Sequence, residues 1–173
     1  MISMNNKLFG KLWIILLAMV SVQATCSYSM KDVSYPPEVK TAKVSYIENR
    51  ARFVNPQLSP QLTDKLKQKI ISQTRLSVVN GDDAHYDISG YITDFSVNTS
   101  GISGQQVSSN NLNITVHIIF KNRLDEKKNF ETDITRNFPF SSTLSFSDAQ
   151  SRLMDDIVKN VSDDIFNKIF SNW

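Results

Sequence analysis

The sequence LNITVHIIFK, Leu112–Lys121, alternates apolar and polar side chains along its whole length. Its apolar positions are Leu112, Ile114, Val116, Ile118 and Phe120. Its polar positions include Asn113, Thr115 and His117, and Ile119 is the exception on that face. Because successive side chains of a β-strand point to opposite faces, this period predicts a strand with one buried face and one face in water.

Two more long strands are predicted on either side of this segment. One covers about Tyr86–Val97, and the other repeats apolar residues at Phe130, Ile134 and Phe138. The charged turn Arg123–Lys128 joins the second of these to the central segment. Strands with this pattern predict a sheet that is covered on one side.

A shorter strand is predicted earlier in the chain, at about Ala42–Ile47. Between the two long strands before Lys121 lies Asn98–Asn111, a polar, glycine-containing stretch of about fourteen residues. Hairpin loops usually have about 2–5 residues, so a loop of this length is expected to be functional or mobile.

The first amphipathic helix is predicted to begin at Ser59-Pro60 and to end near Gln73. Serine can accept a hydrogen bond from the first free amides of a helix, and proline suits the first helical position. The apolar stripe has four-residue spacing and consists of Leu62, Leu66 and Ile70. Such a stripe predicts a helix that lies on the sheet with one face.

A second, longer amphipathic helix is predicted to begin at a capping box, Ser147–Gln150, and to end close to Trp173. Its stripe consists of Leu153, Ile157, Val161 and Ile165. The order of elements predicts an α+β fold, with a sheet of about four strands and both amphipathic helices packed on one face.

The first 25 residues have the features of a secretory signal peptide. Lys7 and Lys11 precede an apolar run of about eleven residues, Leu12–Val22, and small residues follow it. A helix needs roughly 20 apolar residues to span a bilayer, so this run is too short for a permanent anchor. We expect residues 1–25 to be removed.

Cys26 is the only cysteine of the chain and lies directly after this segment. Elsewhere a lone cysteine would be read as a small buried residue, but at a processing boundary it predicts acylation of the sulfur. Gln23 and Thr25 depart from the usual lipoprotein signal, which has Leu three positions before the cysteine and Gly, Ala or Ser directly before it. Residues 26–41, with Pro36-Pro37, are predicted to be a lipidated tether, and residues 42–173 a single α+β domain.

The charge balance excludes a polycationic protein. Loss of residues 1–25 removes two lysines and no acids, which leaves 17 basic and 17 acidic residues. A neutral domain has no electrostatic surface for nucleic acid, so no nucleic-acid partner is expected.

Residues suited to catalysis are few and scattered. His85 and His117 have no spacing that suggests metal ligation, and the serine-hydrolase, P-loop and dinucleotide-binding motifs are absent. The acidic pairs Asp155-Asp156 and Asp163-Asp164, and the bases Lys65, Lys67 and Lys69, are interpreted as solvated helix flanks, although the lysines could also meet lipid phosphates. The chain is therefore predicted not to be an enzyme, with no catalytic residue, cofactor or metal.

Short segments along the chain resemble the lipopolysaccharide-assembly lipoprotein family, LptE, in its shorter branch. These segments are Pro36-Pro37, Val39–Thr41, Glu48–Ala51, Val54–Pro56, Gln73–Leu76, Gly90, Asn129–Glu131, Asp164–Lys168 and Phe170–Trp173. The resemblance implies two helices against a four-stranded sheet and no catalytic residues. It also implies an outer-membrane lipoprotein that plugs and helps assemble the β-barrel LptD and aids lipopolysaccharide transport to the outer leaflet.

The sequence is also compatible with two other functions. Another envelope lipoprotein, such as a barrel-assembly accessory, could share this architecture. A periplasmic lipid carrier could share it too, but a carrier needs an apolar cavity, and the apolar residues are already used between helices and sheet.

Overall fold

The computed structural model describes residues 35–99 and 109–171. The predicted signal peptide, Cys26, most of the tether and Trp173 lie outside these residues. The described chain has six strands and two α-helices, in the order β1 Thr41–Val44, β2 Glu48–Asn49, α1 Leu58–Gln73, β3 Ser77–Val78, β4 Tyr86–Thr99, β5 Ser109–Asn122, β6 Phe130–Ser141 and α2 Phe146–Phe170. A short 3-10 helix, Glu126–Lys128, lies between β5 and β6.

The strands form one mixed sheet in the order β3-β1-β4-β5-β6, and β2 also pairs with β4. β4, β5 and β6 are antiparallel neighbours, whereas β1 and β2 run parallel to β4. The predicted α+β class is confirmed. The sheet has six strands rather than about four, and three of these are only two to four residues long.

The predicted strand Ala42–Ile47 is divided in the structure. β1 ends at Val44, and the chain pairs again only at Glu48. In between, the amide of Ile47 donates to Oγ1 of Thr63 on α1 at 3.1 Å. This amide is directed to the helix and not to a neighbouring strand, which explains the break in pairing.

The buried face of β5 confirms the alternating pattern. Its inward side chains are fully buried, namely Leu112, Ile114, Val116, Ile118 and Phe120. The stripes of the helices lie in the same core, with Leu62, Leu66, Ile70, Ile157 and Ile165 also fully buried. Both helices therefore cover one face of the sheet, called here the closed face; the other is the open face.

Both predicted helix caps were wrong by two residues. α1 follows Gln57 and has no side-chain cap; Oδ1 of Asn55 accepts from the amide of Gln57 at 2.9 Å. Ser59 is inside the helix and buried. α2 is capped by Ser145, whose Oγ accepts from the amide of Asp148 at 3.1 Å, so the cap lies two residues before Ser147.

The loop predicted at Asn98–Asn111 is shorter than expected, because its ends belong to the sheet. β4 continues to Thr99 and β5 begins at Ser109, with Asn98 paired to Asn111 and Thr99 to Asn110. Polar side chains on these strands do not prevent pairing, since the backbone supplies the hydrogen bonds. Residues 100–108 lie outside the described residues.

Residues 35–41, assigned from the sequence to the tether, contact the domain. Val39 is buried, Thr41 begins β1, and the hydroxyl of Tyr35 accepts from the amide of Arg75 at 2.7 Å. Tyr35 and Val39 therefore pack on the domain.

Candidate functional site

The structure keeps the two histidines apart. His85 precedes β4, whereas His117 pairs with Tyr91 six residues further along that strand. At about 3.3 Å per residue the two histidines are separated by roughly 20 Å along the sheet. They cannot act on one substrate atom, and the described residues contain no group of three or more His, Cys, Asp or Glu side chains arranged to hold a metal ion.

His85 has a structural role at the start of β4. Its Nδ1 accepts from the amide of Lys40 at 3.0 Å, and its own amide donates to Oγ1 of Thr41 at 3.0 Å. Its carbonyl accepts from the amide of Arg123 at 2.9 Å. These bonds join β1, β4 and the β5–β6 turn, which explains a histidine at this position.

His117 belongs to a row of side chains that crosses the open face, here called the cross-sheet row. Its Nδ1 lies 2.7 Å from Oδ1 of Asp133 on β6, and its Nε2 lies 3.6 Å from a carboxylate oxygen of Glu131. Its ring contacts Tyr91 on β4, with centroids 5.1 Å apart. At the Tyr91 end of the row, the guanidinium of Arg50 lies over the Tyr91 ring, 4.2 Å from its centre.

The cross-sheet row is partly exposed and carries both charge signs. The side chain of His117 is 21% exposed, and those of Glu131 and Asp133 are 63% and 62% exposed. Arg50 also binds Glu48 at 2.8 Å. The row is therefore an ordered polar surface that a partner protein or a polar ligand can reach. The sequence indicated His117 on the polar face but not its neighbours, because register determines which side chains meet.

The acidic pair Asp163-Asp164 is not the solvated flank that the sequence predicted. Asp163 binds Nζ of Lys69 at 2.5 Å, which joins the two helices. Asp164 accepts from Arg136 on β6, with one bond at 2.7 Å, and this carboxylate raises the pKa of Arg136. The prediction for Lys69 was also wrong, because its ammonium lies over the Phe166 ring at 5.3 Å. By contrast, Asp155 and Asp156 are exposed, as predicted.

The domain has two distinct ends, separated along α2. This helix has 25 residues, so at about 1.5 Å per residue it is roughly 37 Å long. Tyr35 packs on Phe170 at one end, with ring centroids 6.4 Å apart; this is the tether end. Phe53 packs on Phe146 at the other, with centroids 5.8 Å apart; this is the free end.

Each end carries exposed apolar residues. At the free end Phe53 is 50% exposed and Val54 is 64% exposed. At the tether end Leu124, in the turn between β5 and β6, is 52% exposed. Neither helix of the described chain has the length and apolar character that spanning a bilayer requires.

A family model described as lipopolysaccharide-assembly, LptE, matches residues 39–169. Of the described residues, this range includes all six strands, the whole of α1, and α2 as far as Ile169. The chain belongs to the LptE family. No curated protein sequence matches it significantly.

Solved structures share this fold at low sequence identity. A minor lipoprotein from Acinetobacter baumannii is 16% identical, with a TM-score of 0.52 over 77% of this chain and 94% of that one. A Xanthomonas campestris protein is 12% identical, with a TM-score of 0.50 over 79% and 87%. Rare lipoprotein B from Shewanella oneidensis is 15% identical over 76% and 92%, with a TM-score of only 0.40. The first two indicate the fold alone.

In this LptE-family domain the segments that carried the resemblance have clear places. Glu48–Ala51 contains β2 and the arginine of the cross-sheet row. Asn55 of Val54–Pro56 binds Gln150 on α2 at 3.1 Å, from Nδ2 to Oε1. Gly90 lies in β4, where a Cβ atom would be 2.3 Å from the carbonyl oxygen of His117. These three segments maintain the fold or form the open face.

Proposed function

We propose that this LptE-family protein is an outer-membrane lipoprotein, acylated on Cys26, that plugs and helps assemble an LptD-like β-barrel. In this role it aids lipopolysaccharide transport to the outer leaflet and catalyses no reaction. Membership of the LptE family supports a role in lipopolysaccharide assembly. The observation on this chain that carries the barrel contact is the cross-sheet row, an ordered polar surface on an uncovered sheet face.

The polarity of the open face suits a barrel interior. Large outer-membrane barrels have polar, wet interiors, so the domain inside one needs a polar exterior. The open face offers the carboxylates of Glu131 and Asp133, the imidazole of His117 and the hydroxyls of Thr115 and Thr135, which lie 2.9 Å apart. These groups can exchange hydrogen bonds with polar side chains or water on a barrel wall.

The closed face argues against a lipid carrier. A carrier needs an apolar cavity between its layers. Here the opposing side chains of the sheet and both helices, such as Ile114, Leu66 and Ile157, are fully buried in one packed cluster. The apolar surface of the domain is therefore occupied by its own core.

Depletion of the protein in its own cells tests the process. We expect less lipopolysaccharide at the cell surface and accumulation of an incompletely folded barrel. Normal levels of both would refute the proposed function. Mass spectrometry of the mature N-terminus tests the anchor separately, and Cys26→Ala is expected to leave the protein unprocessed or soluble.

Co-purification tests the barrel contact on the open face. We expect Asp133→Lys to reduce recovery of a stoichiometric barrel, because it reverses a charge that is 62% exposed in the cross-sheet row. Asp155→Lys, an equal charge change on the exposed side of α2, is the matched control and should retain the barrel. Equal recovery of both would exclude the open face as the contact, and a monomer with bound lipid and no barrel would favour a carrier.

A further inference from the structure

The tether end of the domain brings the start of the described chain close to the β5–β6 turn. A continuous series of aromatic rings connects them. Tyr35 contacts Phe170, Phe170 contacts Tyr86 at 6.2 Å, Tyr86 contacts Phe120 at 5.0 Å, and Phe120 contacts Phe130 at 5.2 Å. Phe130 begins β6, directly after the turn. The tether and the turn therefore lie at the same end of the molecule.

The β5–β6 turn, taken here together with the last two residues of β5 as residues 121–128, combines an exposed apolar side chain with an excess of bases. Leu124 is 52% exposed. The four bases of the turn are Lys121, Arg123, Lys127 and Lys128, and its two acids are Asp125 and Glu126, so its formal net charge is +2. Three of the bases are exposed, and Lys128 is half-buried. This composition contrasts with the neutral mature chain as a whole.

Leu124 projects from a turn that hydrogen bonds hold in place. Oδ1 of the buried Asn122 accepts from the amides of Leu124 and Asp125 at 2.9 and 3.1 Å. Oδ1 of Asn129 in turn accepts from the amide of Asn122 at 2.6 Å. The Asp125 side chain accepts from the amide of Lys127. The exposed leucine is thus a fixed feature of the surface.

The length of the tether keeps this end of the domain near the membrane. Eight residues, 27–34, separate Cys26 from Tyr35. A fully extended chain spans at most about 3.6 Å per residue, so Tyr35 lies within roughly 30 Å of an acylated Cys26. The bases of the turn, at the same end of the domain, are then within reach of the leaflet that holds the acyl chains.

We propose that the β5–β6 turn is a second, non-covalent contact with that leaflet. Leu124 enters the boundary between headgroups and acyl chains, and the surrounding bases bind the headgroups of anionic phospholipids. Basic residues near an anionic surface, together with apolar side chains at the interface, strengthen binding that an acyl anchor begins. The inference rests on the proposed acylation of Cys26 and concerns the lipoprotein before it enters a barrel.

The single cysteine permits a direct test. In the acylated mature protein the Cys26 sulfur is blocked, so Leu124→Cys supplies the only reactive thiol for an environment-sensitive fluorophore. Val54→Cys is the matched control, since Val54 is 64% exposed at the free end. The acylated proteins are reconstituted in phosphatidylcholine vesicles with and without phosphatidylglycerol. With phosphatidylglycerol we expect a blue shift and quenching by brominated acyl chains at position 124 and neither at position 54.

A charge reversal tests the role of the bases. In the Leu124→Cys protein, Lys127→Glu should reduce the ratio of immersed to solvated probe at least about five-fold, the effect expected for each charge removed from an anionic surface. Lys65→Glu, an exposed lysine on α1, is the control and should leave the ratio unchanged. Equal effects of the two substitutions, or none from Lys127→Glu, would overturn the proposal.

Failure of this inference differs from failure of the proposed function. The acyl mass of the N-terminus and flotation with vesicles report on the anchor, and co-purification reports on the barrel. An acylated protein that floats while the probe at position 124 remains in water refutes the turn contact alone. A protein without acyl mass or flotation refutes the anchor and the turn contact together.

Discussion

The two faces of the long strands β4, β5 and β6 differ in what they bury and in what they can bind. On the closed face Ile118 and Phe120 are fully buried beneath the helices. On the open face, one residue away along the same strand, His117 joins exposed carboxylates. Because the strand period is two, a single segment supplies stability on one side and a recognition surface on the other. Substitutions can separate these two contributions.

The largest expected effect comes from two neighbouring residues on opposite faces. Phe120→Ala should lower the free energy of unfolding by about 3–5 kcal/mol, because it removes a fully buried ring that contacts Tyr86 and Phe130. Ile119→Ala removes a partly exposed side chain on the open face and should cost less than about 1.5 kcal/mol. Urea unfolding measures both, and equal losses would contradict the division into two faces.

The second expected effect is an alkaline loss of stability that originates on the closed face. Burial, with smaller contributions from Tyr35 and Glu38, raises the pKa of Tyr86 to about 12. The phenol of the unfolded chain ionises near pH 10. The free energy of unfolding therefore has its full value below pH 10 and decreases as the pH rises towards 12, because ionisation in this range favours the unfolded chain. A shift of this size corresponds to about 2–3 kcal/mol. Tyr86→Phe should lose less stability than the parent protein between pH 9 and 12, and an identical decline would exclude this residue as the cause.

A glycine at the centre of the sheet gives the third effect. A Cβ atom on Gly90 would lie 2.3 Å from the carbonyl oxygen of His117 and 3.0 Å from Cδ1 of Ile118. Since a backbone carbonyl cannot move freely, Gly90→Ala should cost about 1–3 kcal/mol. Gly81→Ala is the control, because its Cβ would meet only the side chain of Asp83, which can rotate away. Thermal unfolding of both variants measures the difference, and a neutral Gly90→Ala would contradict the close packing of β4 on β5.

The corrected cap of α2 gives the fourth and smaller effect. Ser145→Ala removes the hydroxyl that accepts from the amide of Asp148, and it should cost about 1 kcal/mol. Ser147→Ala, at the position that the sequence favoured, should have almost no effect, because Ser147 is exposed within the helix. Chemical denaturation measures both losses. A larger loss for Ser147→Ala than for Ser145→Ala would support the cap that the sequence predicted.

The sequence predicted the closed face well because burial acts on each strand and helix separately. The alternation of Leu112–Phe120 and the spacing of Leu62, Leu66 and Ile70 each report a buried stripe without knowledge of the neighbouring element. The helix starts were less predictable. Ser59 and Ser147 have suitable side chains, but the path of the preceding chain decides which residue caps, and at α1 the side chain of Asn55 binds the amide of Gln57 instead.

The cross-sheet row could not be predicted in the same way. Tyr91, His117 and Asp133 come from three strands, and they meet only because the registers place Tyr91 opposite His117 and His117 opposite Asp133. A β-bulge between Ile92 and Asp94 then changes the register beyond Ile92. Local patterns in the sequence do not contain this register. Similarly, Lys69 and Asp163 form an ion pair although they are 94 residues apart in the sequence. The pattern of each helix alone predicted only a solvated flank and could not identify this partner.

The smallest effect on stability belongs to His117, and there the functional consequence should be largest. His117→Ala removes an exposed pair with Asp133 and a ring contact with Tyr91, so the free energy of unfolding should fall by less than about 1 kcal/mol. Recovery of a barrel partner should nevertheless decrease, because the alanine leaves a gap at the centre of the cross-sheet row. Asn160→Ala on the exposed side of α2 serves as the control. A His117→Ala protein that retains full stability and full barrel recovery would show that the open face is only solvated surface, whereas normal folding with lost recovery would show that recognition is separate from the core.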